Sequence, residues 1–413
     1  MSNLSKAAAA LTAVLMISAT TQAAPPAGSS GQVVIDWNLI TVQATKKAGF
    51  NSNLGSRMEA IEAIAVYDAV NAIEPIGRPY HFSQAAPKGA SAEAAAAGAA
   101  HGVLVHYFPS QQPYLDSALA NSLKGITIGD VPSGTSLGAA SAADIIALRA
   151  DDGSEPDQDY PGPSQPGAGQ YRPTPAGFAP GINRQWATVK PFVLNSPSQF
   201  RPGPPPAVGT EAYLKALTEI REMGAASSVK RTGQQTHIAQ FYKQDAELTV
   251  NETARELAGR HGSSLQEAAL VFLLTDLAEA DARIAIWDAK YTYLFWRPVT
   301  ALNASSDGTV SNGYGAWTPL LSTPPHPDYP CGHCGTVSAG YGVLIRFFGD
   351  RNEYTLHTTT PGEKPRVLHS LSDGEMENGW SRVYGGIHYS FDNTASRKLG
   401  QDVSAYILSQ WGK

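Results

Sequence analysis

Apolar residues recur at helical spacing in segments spread over most of the chain. The clearest segment begins near Ser264 and runs toward Lys290. Its leucines occupy positions i, i+3, i+4 and i+7, which share one face of an α-helix: Leu270, Leu273, Leu274 and Leu277. Pro298 must end this helix, because a proline in a helix interior removes a hydrogen bond and clashes with the preceding turn.

The same spacing predicts further helices on both sides of this segment. They cover residues 57–73, 92–108, 115–123, 137–149, 211–223, 234–242 and 334–348. A terminal amphipathic helix carries apolar residues on one face: Leu399, Val403, Tyr406 and Ile407. Since no convincing set of alternating strands interrupts them, the pattern predicts a mostly helical protein.

Residues 151–209 break this pattern. Thirteen of the 29 prolines fall in this stretch, along with many glycines, so neither a regular helix nor a central strand can persist there. We interpret it as a long loop or arm: a surface connector is the commoner case, and a lid is the functional alternative. The predicted organisation is a helical region at 25–150, this arm, and a helical catalytic region at 210–413.

The first 24 residues have the composition of a secretory signal. Lys6 precedes an apolar stretch at residues 7–17, and small residues follow up to Ala24, as in a cleaved export signal. This stretch and every later apolar run are shorter than the roughly 20 residues that a membrane helix needs. The sequence therefore predicts a periplasmic or secreted protein without a membrane span.

Charge and cysteine content argue against two further classes of protein. The formal net charge is −6, whereas a nucleic-acid-binding protein needs a basic face to meet phosphates. Only two cysteines occur, three residues apart, too few for a disulfide-framework protein. No nucleic-acid partner is predicted, stability must come from packing, and the oligomeric state stays open.

Three short segments in the C-terminal third carry the candidate chemistry: KYTYLFWRP, PCGH and SRVYGGIH, the last followed four residues later by an aspartate. Their functional candidates are Lys290 and Arg297, then His333, then Arg382, His388 and Asp392. In order and spacing they resemble the signature of the vanadium-dependent haloperoxidase and type 2 phosphatidic-acid phosphatase superfamily, K-x6-R-P, P-S-G-H and S-R-x5-H. The segments AVYDAVNAIEP and IAIWDAKYTYLFWRP extend the resemblance to bacterial haloperoxidase-related proteins.

This resemblance implies an all-α fold, a packed helical bundle with an oxyanion site at one end. It implies that His388 is the nucleophile to phosphorus in a phosphatase, or the ligand to vanadium in a haloperoxidase. Asp392 then holds the other ring nitrogen of His388, and His333 acts as general acid and base. The implied cofactor is vanadate, with hydrogen peroxide and a halide as substrates; a phosphatase would need no cofactor and would act on a phosphate ester.

Elementary physics agrees with an anion site. Lys290 and Arg297 are two helical turns apart, roughly 10 Å, on nearly the same face, so their side chains can converge on one anion. Arg382 would complete the cationic cage. Gly332 allows close approach of the backbone, and the N–H groups of Gly332 and His333 would point at the anion if a helix begins there.

Cys331 departs from the signature, because the family has serine at this position. With Cys334 it forms the string CGHC, which alone suggests a thiol–disulfide redox centre. That interpretation is poor because no strands precede the string, and a structural zinc site lacks a second cysteine pair. Two alternatives stay open: the cysteines form a structural disulfide, or Cys331 donates weakly to the oxyanion.

His326 is a further candidate, for the halide pocket. Seven residues before the motif histidine, the fungal chloroperoxidases of the family carry phenylalanine and the algal bromoperoxidases carry histidine. The alternative is that His326 only lines the entrance. The leading hypothesis is a vanadate-dependent haloperoxidase that oxidises bromide or iodide; the alternatives are a metal-independent acid phosphatase and a non-catalytic oxyanion-binding protein.

Overall fold

The computed structural model describes residues 30–305, 308–310 and 314–413. The predicted signal segment, residues 1–24, lies outside this range. The helices are α1 (Gln32–Lys47), α2 (Ser52–Ile73), α3 (Ala92–Tyr107), α4 (Gln112–Lys124), α5 (Val131–Arg149), α6 (Glu211–Met223), α7 (Gly233–Phe241), α8 (Ala246–Arg260), α9 (Leu265–Tyr293), α10 (Pro298–Ala301), α11 (Gly332–Phe348), α12 (Leu371–Tyr384) and α13 (Ser390–Gln410).

Strands and 3-10 helices are few in the described part of the chain. Two short 3-10 helices span Pro109–Gln111 and Arg184–Thr188. Strands β1 (Tyr354–Leu356) and β2 (Arg366–Leu368) pair antiparallel. The mostly helical prediction is therefore confirmed, and each predicted helix is present within a few residues of its expected bounds. The sequence pattern missed α1, α8, α12 and the four-residue α10.

Helix α9 forms the centre of the molecule. Its N-cap Ser264 and Glu267 form a reciprocal capping box, which satisfies two otherwise unpaired backbone N–H groups. Nearly every residue from Leu265 to Lys290 is buried, as expected for a helix enclosed on all sides. It ends five residues before Pro298, because Leu294 adopts a left-handed conformation with φ 47°.

The other helices pack around α9 in two groups. On one side α2 lies against α9 and α3, and α3 lies along α5. This α3–α5 contact is tight: a Cβ on Gly138 would lie 2.1 Å from the Ala95 carbonyl oxygen, so only glycine allows this approach. On the other side α11 packs against α9 and α13. One apolar core runs through both groups.

The proline-rich arm at 151–209 contains only the 3-10 helix at Arg184–Thr188, as its composition predicts. Asp281 of α9 fastens it to the core. The fully buried carboxylate accepts hydrogen bonds from the backbone N–H groups of Phe192, Val193 and Leu194 at 2.6–2.9 Å. The arm is thus packed against the core along part of its length.

A cluster of buried acidic side chains lies between α2, α8 and α9. The Asn251 Nδ2 amide lies 3.1–3.3 Å from carboxylate oxygens of Glu59, Asp276 and Glu279. All four side chains are fully buried. Burial raises the pKa of Asp276 to about 7, because a low-dielectric environment disfavours the charged carboxylate.

Among the residues described, none of the helices combines the length and the apolar character that crossing a bilayer requires.

Candidate active site

The three motif segments meet at one end of the bundle. Lys290 comes from the last turn of α9, and Arg297 is the N-cap of α10. Arg382 lies in the last turn of α12, and His388 follows in the short connection to α13. Their proximity in space results from helix packing, since about 90 residues of chain separate the first segment from the last.

A cavity of about 180 Å³ opens where these segments converge. Its volume is several times the roughly 30 Å³ that a water molecule occupies in the liquid. The predicted site residues that line it are His326, Gly332, His333, Arg382 and His388.

His388 has a defined tautomer. Its Nδ1 lies 2.9 Å from Asp328 Oδ1 and 3.2 Å from Asp392 Oδ2. Its Nε2 lies 3.1 Å from Arg297 Nη1, and a guanidinium can only donate. The proton therefore sits on Nδ1, and Nε2 presents a lone pair. Burial, and then the neighbouring Arg297, holds the pKa of His388 well below its usual range, so the imidazole is neutral.

Asp328 and Asp392 form a coupled pair of buried carboxyl groups. Burial raises the pKa of Asp392 well above its usual range, and the adjacent Asp328 raises it further. Burial also raises the pKa of Asp328, but Arg297 and a hydrogen bond from Asp392 oppose that shift. Asp392 is thus the more readily protonated of the two, and Asp328 is the one that more readily stays ionised.

Lys290 and Arg297 are arranged differently from the prediction. They do not share one continuous helix, because α9 ends at Tyr293. Lys290 Nζ donates to the carbonyl oxygens of Pro327 at 2.8 Å and Asp328 at 2.6 Å. Burial, then the charge of Arg297, lowers the pKa of Lys290 well below its usual range. Neither side chain is among those lining the cavity.

Arg297 holds the loops that form the cavity wall. Its Nε donates to the His326 carbonyl oxygen at 2.9 Å, and its Nη1 donates to the Ile387 carbonyl oxygen at 2.8 Å. A third contact, between Nη1 and Asp328 Oδ1, measures 3.1 Å. Arg297 thereby connects the loop before α11 with the loop before α13.

Arg382 and His333 face the cavity from opposite helices. Arg382 donates from Nη1 to the Tyr242 carbonyl oxygen, whereas its buried Nε has no partner among the described residues. His333 Nε2 donates to the Gln244 carbonyl oxygen at 2.8 Å, which leaves the lone pair on Nδ1. Burial and then Arg382 lower the pKa of His333 to about 3, so this ring is neutral as well.

Cys331 requires a correction. It forms a disulfide with Cys334, so it has no thiol proton to donate, and it is not among the residues that line the cavity. The predicted oxyanion donor at this position is therefore wrong, and the disulfide alternative holds. Cys331 instead caps α11: its Sγ accepts from the backbone N–H of Cys334 at 3.2 Å.

His326 lies in the cavity wall. Its ring packs against Trp287, with 5.1 Å between the ring centroids, and Arg297 Nη2 lies 3.0 Å from its Nδ1. Burial and then Arg297 lower the pKa of His326 well below its usual range. A neutral histidine therefore lies in the cavity wall, and both interpretations of His326 stay open.

Sequence reasoning missed several residues of the site: Asp328, Arg283, Trp287, Ile182 and Asn183. Arg283 lines the cavity, and its position seven residues before Lys290 was a signal of the same helix face. Ile182 and Asn183 of the arm also line the cavity, where a composition-based prediction of a connector gave no indication of a role.

The donor set fits a tetrahedral oxyanion. Arg283 and Arg382 supply positive charge at the cavity. Arg382 Nε and Trp287 Nε1 are buried N–H groups without a protein acceptor in the described ranges, and such groups normally find a partner. Helix α11 begins at Gly332, so its first N–H groups are available to an anion.

Comparison with known proteins agrees with this geometry. Residues 270–411 match the family model "VCPO second helical-bundle domain", where VCPO denotes vanadium chloroperoxidase. The curated vanadium chloroperoxidase of Curvularia inaequalis is 24% identical over 304 residues, 58% of this chain and 48% of the relative. The alignment thus spans about half of that relative's length. Over these residues the chain is similar to the vanadium chloroperoxidases.

Solved structures extend the agreement to the whole fold. The crystal structure of the first bacterial vanadium-dependent iodoperoxidase superposes with a TM-score of 0.79 at 24% identity, covering 93% of this chain and 97% of that one. The apo-type bacterial vanadium-dependent chloroperoxidase gives a TM-score of 0.70 at 19% identity, covering 86% and 92%. The all-α fold of the vanadium haloperoxidase superfamily is confirmed for this chain.

Proposed function

We propose that this protein is a vanadate-dependent haloperoxidase that oxidises iodide or bromide with hydrogen peroxide. The observation that carries the proposal is the state of His388. This buried, neutral imidazole keeps its proton on Nδ1, next to two carboxyl groups. Its Nε2 carries the lone pair, which accepts from Arg297 Nη1, and the side chain lines a cavity together with Arg283 and Arg382. A fixed tautomer with a hydrogen-bonded distal nitrogen is what a metal-coordinating histidine requires.

Residues already in place would hold vanadate. His388 Nε2 would coordinate it in place of its present contact with Arg297 Nη1, while Arg382 and Arg283 would neutralise its negative charge. The unpartnered N–H groups of Arg382 and Trp287 would gain an acceptor. Lys290 and Arg297 would contribute indirectly, because they fix the loops that carry His326 and His388. When bound, vanadate would supply a Lewis acid that activates peroxide toward a halide without changing oxidation state.

His333 is placed to move the proton of hydrogen peroxide. Its Nε2–H is committed to the Gln244 carbonyl oxygen, so the free lone pair is on Nδ1. Burial and Arg382 lower the pKa of the ring to about 3, so it is unprotonated without a bound anion; the negative charge of an oxyanion beside it would raise that pKa and make the ring a better base. The same atom can return that proton to a leaving oxygen.

Two observations support iodide or bromide as the halide. The superposition with the bacterial iodoperoxidase covers nearly all of both chains. His326 lies in the cavity wall, at the position where the resemblance associates histidine with bromide oxidation.

The test is to assay the purified protein in two ways. One assay follows bromide and iodide oxidation by hydrogen peroxide with added orthovanadate, and the other follows phosphate-ester hydrolysis without it. We expect peroxide-dependent oxidation that rises with vanadate and saturates. Ester hydrolysis that vanadate inhibits would assign the site to the phosphatases instead. Anion binding without turnover in either assay would leave an oxyanion-binding protein.

We also propose that the protein works in an oxidising compartment, periplasmic or secreted. The Cys331–Cys334 disulfide supports this, because disulfides persist outside the reducing cytosol. Fractionation of cells that express the full chain tests the proposal; retention in the cytosol would contradict it.

A further inference from the structure

Asp328 occupies the centre of the contacts between the motif segments. It lies in the loop before α11, three residues before Cys331 and outside the quoted signature, and it is fully buried. Its Oδ1 lies 2.9 Å from His388 Nδ1 and 3.1 Å from Arg297 Nη1. One carboxylate oxygen thus contacts residues from two of the three segments.

The backbone of Asp328 is also fixed on both sides. Its N–H donates to the Phe295 carbonyl oxygen at 2.9 Å, and its own carbonyl oxygen accepts from Lys290 Nζ at 2.6 Å. The main chain that carries this side chain is therefore held from both sides.

Two carboxyl oxygens lie close to the His388 Nδ1 proton. The Nδ1–H donates to Asp392 Oδ2 at 3.2 Å, and Asp328 Oδ1 lies 2.9 Å from Nδ1 as an ion-pair contact. The Asp392 oxygen concerned, Oδ2, already accepts from the Tyr389 backbone N–H at 2.9 Å. Asp328 Oδ1 contacts both His388 and Arg297. A carboxylate oxygen this close to Nδ1 disfavours a lone pair on that atom and so favours the Nδ1–H tautomer.

We propose that Asp328 is a positioning residue that, together with Asp392, holds His388 in its Nδ1–H form and so keeps the lone pair on Nε2. The inference rests on the proposed oxyanion site but needs no bound anion for its main test. It differs from the arrangement that the motif implies, in which Asp392 alone orients the histidine. A purely structural role, pairing Arg297, is the alternative that the experiment must separate.

The experiment compares Asp328→Asn with Asp281→Asn. Both replace a fully buried aspartate, but Asp281 accepts only from backbone N–H groups of the arm. The first readout is ¹H–¹⁵N NMR of histidine-labelled protein without vanadate, with the His388 signals assigned from a His388→Gln sample. The second is calorimetric binding of inorganic phosphate and of orthovanadate.

For Asp328→Asn we expect a mixture of His388 tautomers and a 10- to 100-fold loss of anion affinity, the usual effect of removing a group that orients a ligating histidine. Asp281→Asn should leave both readouts within two-fold of the unaltered protein, even if it unfolds at a lower temperature. An Asp328→Asn protein with the original tautomer and affinity would overturn the proposal.

Two further outcomes keep the test decisive. If Asp328→Asn does not fold, the spectrum of the unaltered protein decides, because a His388 proton on Nε2 would by itself overturn the proposal. If the unaltered protein binds phosphate but never oxidises halide, the proposed function fails, whereas the effect of Asp328→Asn on tautomer and phosphate affinity still tests the positioning role.

Discussion

Replacing both cysteines by serine should lower stability without changing anion affinity. The disulfide closes a loop of four residues, Cys331 to Cys334. In the chain-entropy model such a loop contributes about 6 cal/mol/K, or about 2 kcal/mol at 25 °C. In Cys331→Ser/Cys334→Ser the hydroxyl oxygen at position 331 retains the N-cap bond to α11 that the Cys331 sulfur now accepts, because serine is a good N-cap. The free energy of unfolding should therefore fall by about 2 kcal/mol.

The matched control is Cys331→Ala/Cys334→Ala, which loses the N-cap acceptor as well and should cost about 1 kcal/mol more. Urea denaturation measures both variants, and thiol titration of the unfolded, unreduced parent should find no free thiol, since both cysteines are paired. Calorimetry with phosphate should give one affinity, within two-fold, for all three proteins. A serine variant that binds roughly two- to twelve-fold tighter than the alanine variant would refute this reasoning, because that gain corresponds to a new hydrogen bond from residue 331 to the anion.

Three other predictions address the site and the core. His388→Ala should abolish peroxide-dependent iodide and bromide oxidation while the circular dichroism spectrum is unchanged; His369→Ala, an exposed histidine outside the site, should retain activity. Phosphate and orthovanadate should compete in calorimetry, and independent, additive heats would contradict a shared site. Asp276→Asn should remove a pH dependence of stability. The pKa of Asp276 rises to about 7 on folding, so the native state holds a proton that the unfolded chain loses near pH 4. The free energy of unfolding therefore falls as the pH rises from 4 to 7, by up to about 1.4 kcal/mol per pH unit. Urea denaturation at pH 5, 6 and 7 gives the free energy of unfolding of the parent and of the variant, and the difference between the two should show that slope. If the two free energies change in parallel with pH, the prediction is refuted.

Most helices could be found from the sequence, but α1 and α8 could not. Helix α1 buries Asn38, Thr41 and Thr45 among its apolar residues, and α8 buries Asn251. The two helices meet through a hydrogen bond from Asn38 Nδ2 to Asn251 Oδ1 at 2.6 Å. Polar side chains that pair with each other in this way interrupt the run of apolar positions on the buried face, which weakens the periodic signal.

The motif located the site, but its geometry depended on backbone events that spacing does not encode. A seven-residue interval predicted that Lys290 and Arg297 lie on one helix, yet the left-handed Leu294 ends α9 between them. Asp328 stands 60 residues before His388 in the chain, and its contact with the imidazole arises only from the packing of two loops. Residue types were therefore predictable, whereas the partner of each polar atom was not.

The arm that Asp281 fastens to α9 has a consequence for directed evolution of this scaffold. Ile182 and Asn183 form part of the cavity wall but belong to neither the anion donors nor their supporting loops. Libraries restricted to these two positions would vary the size and polarity of the entrance while the charged machinery stayed untouched. Selectivity for the molecule that enters the cavity could thus be optimised in one round and turnover in another, on the same unchanged helical scaffold.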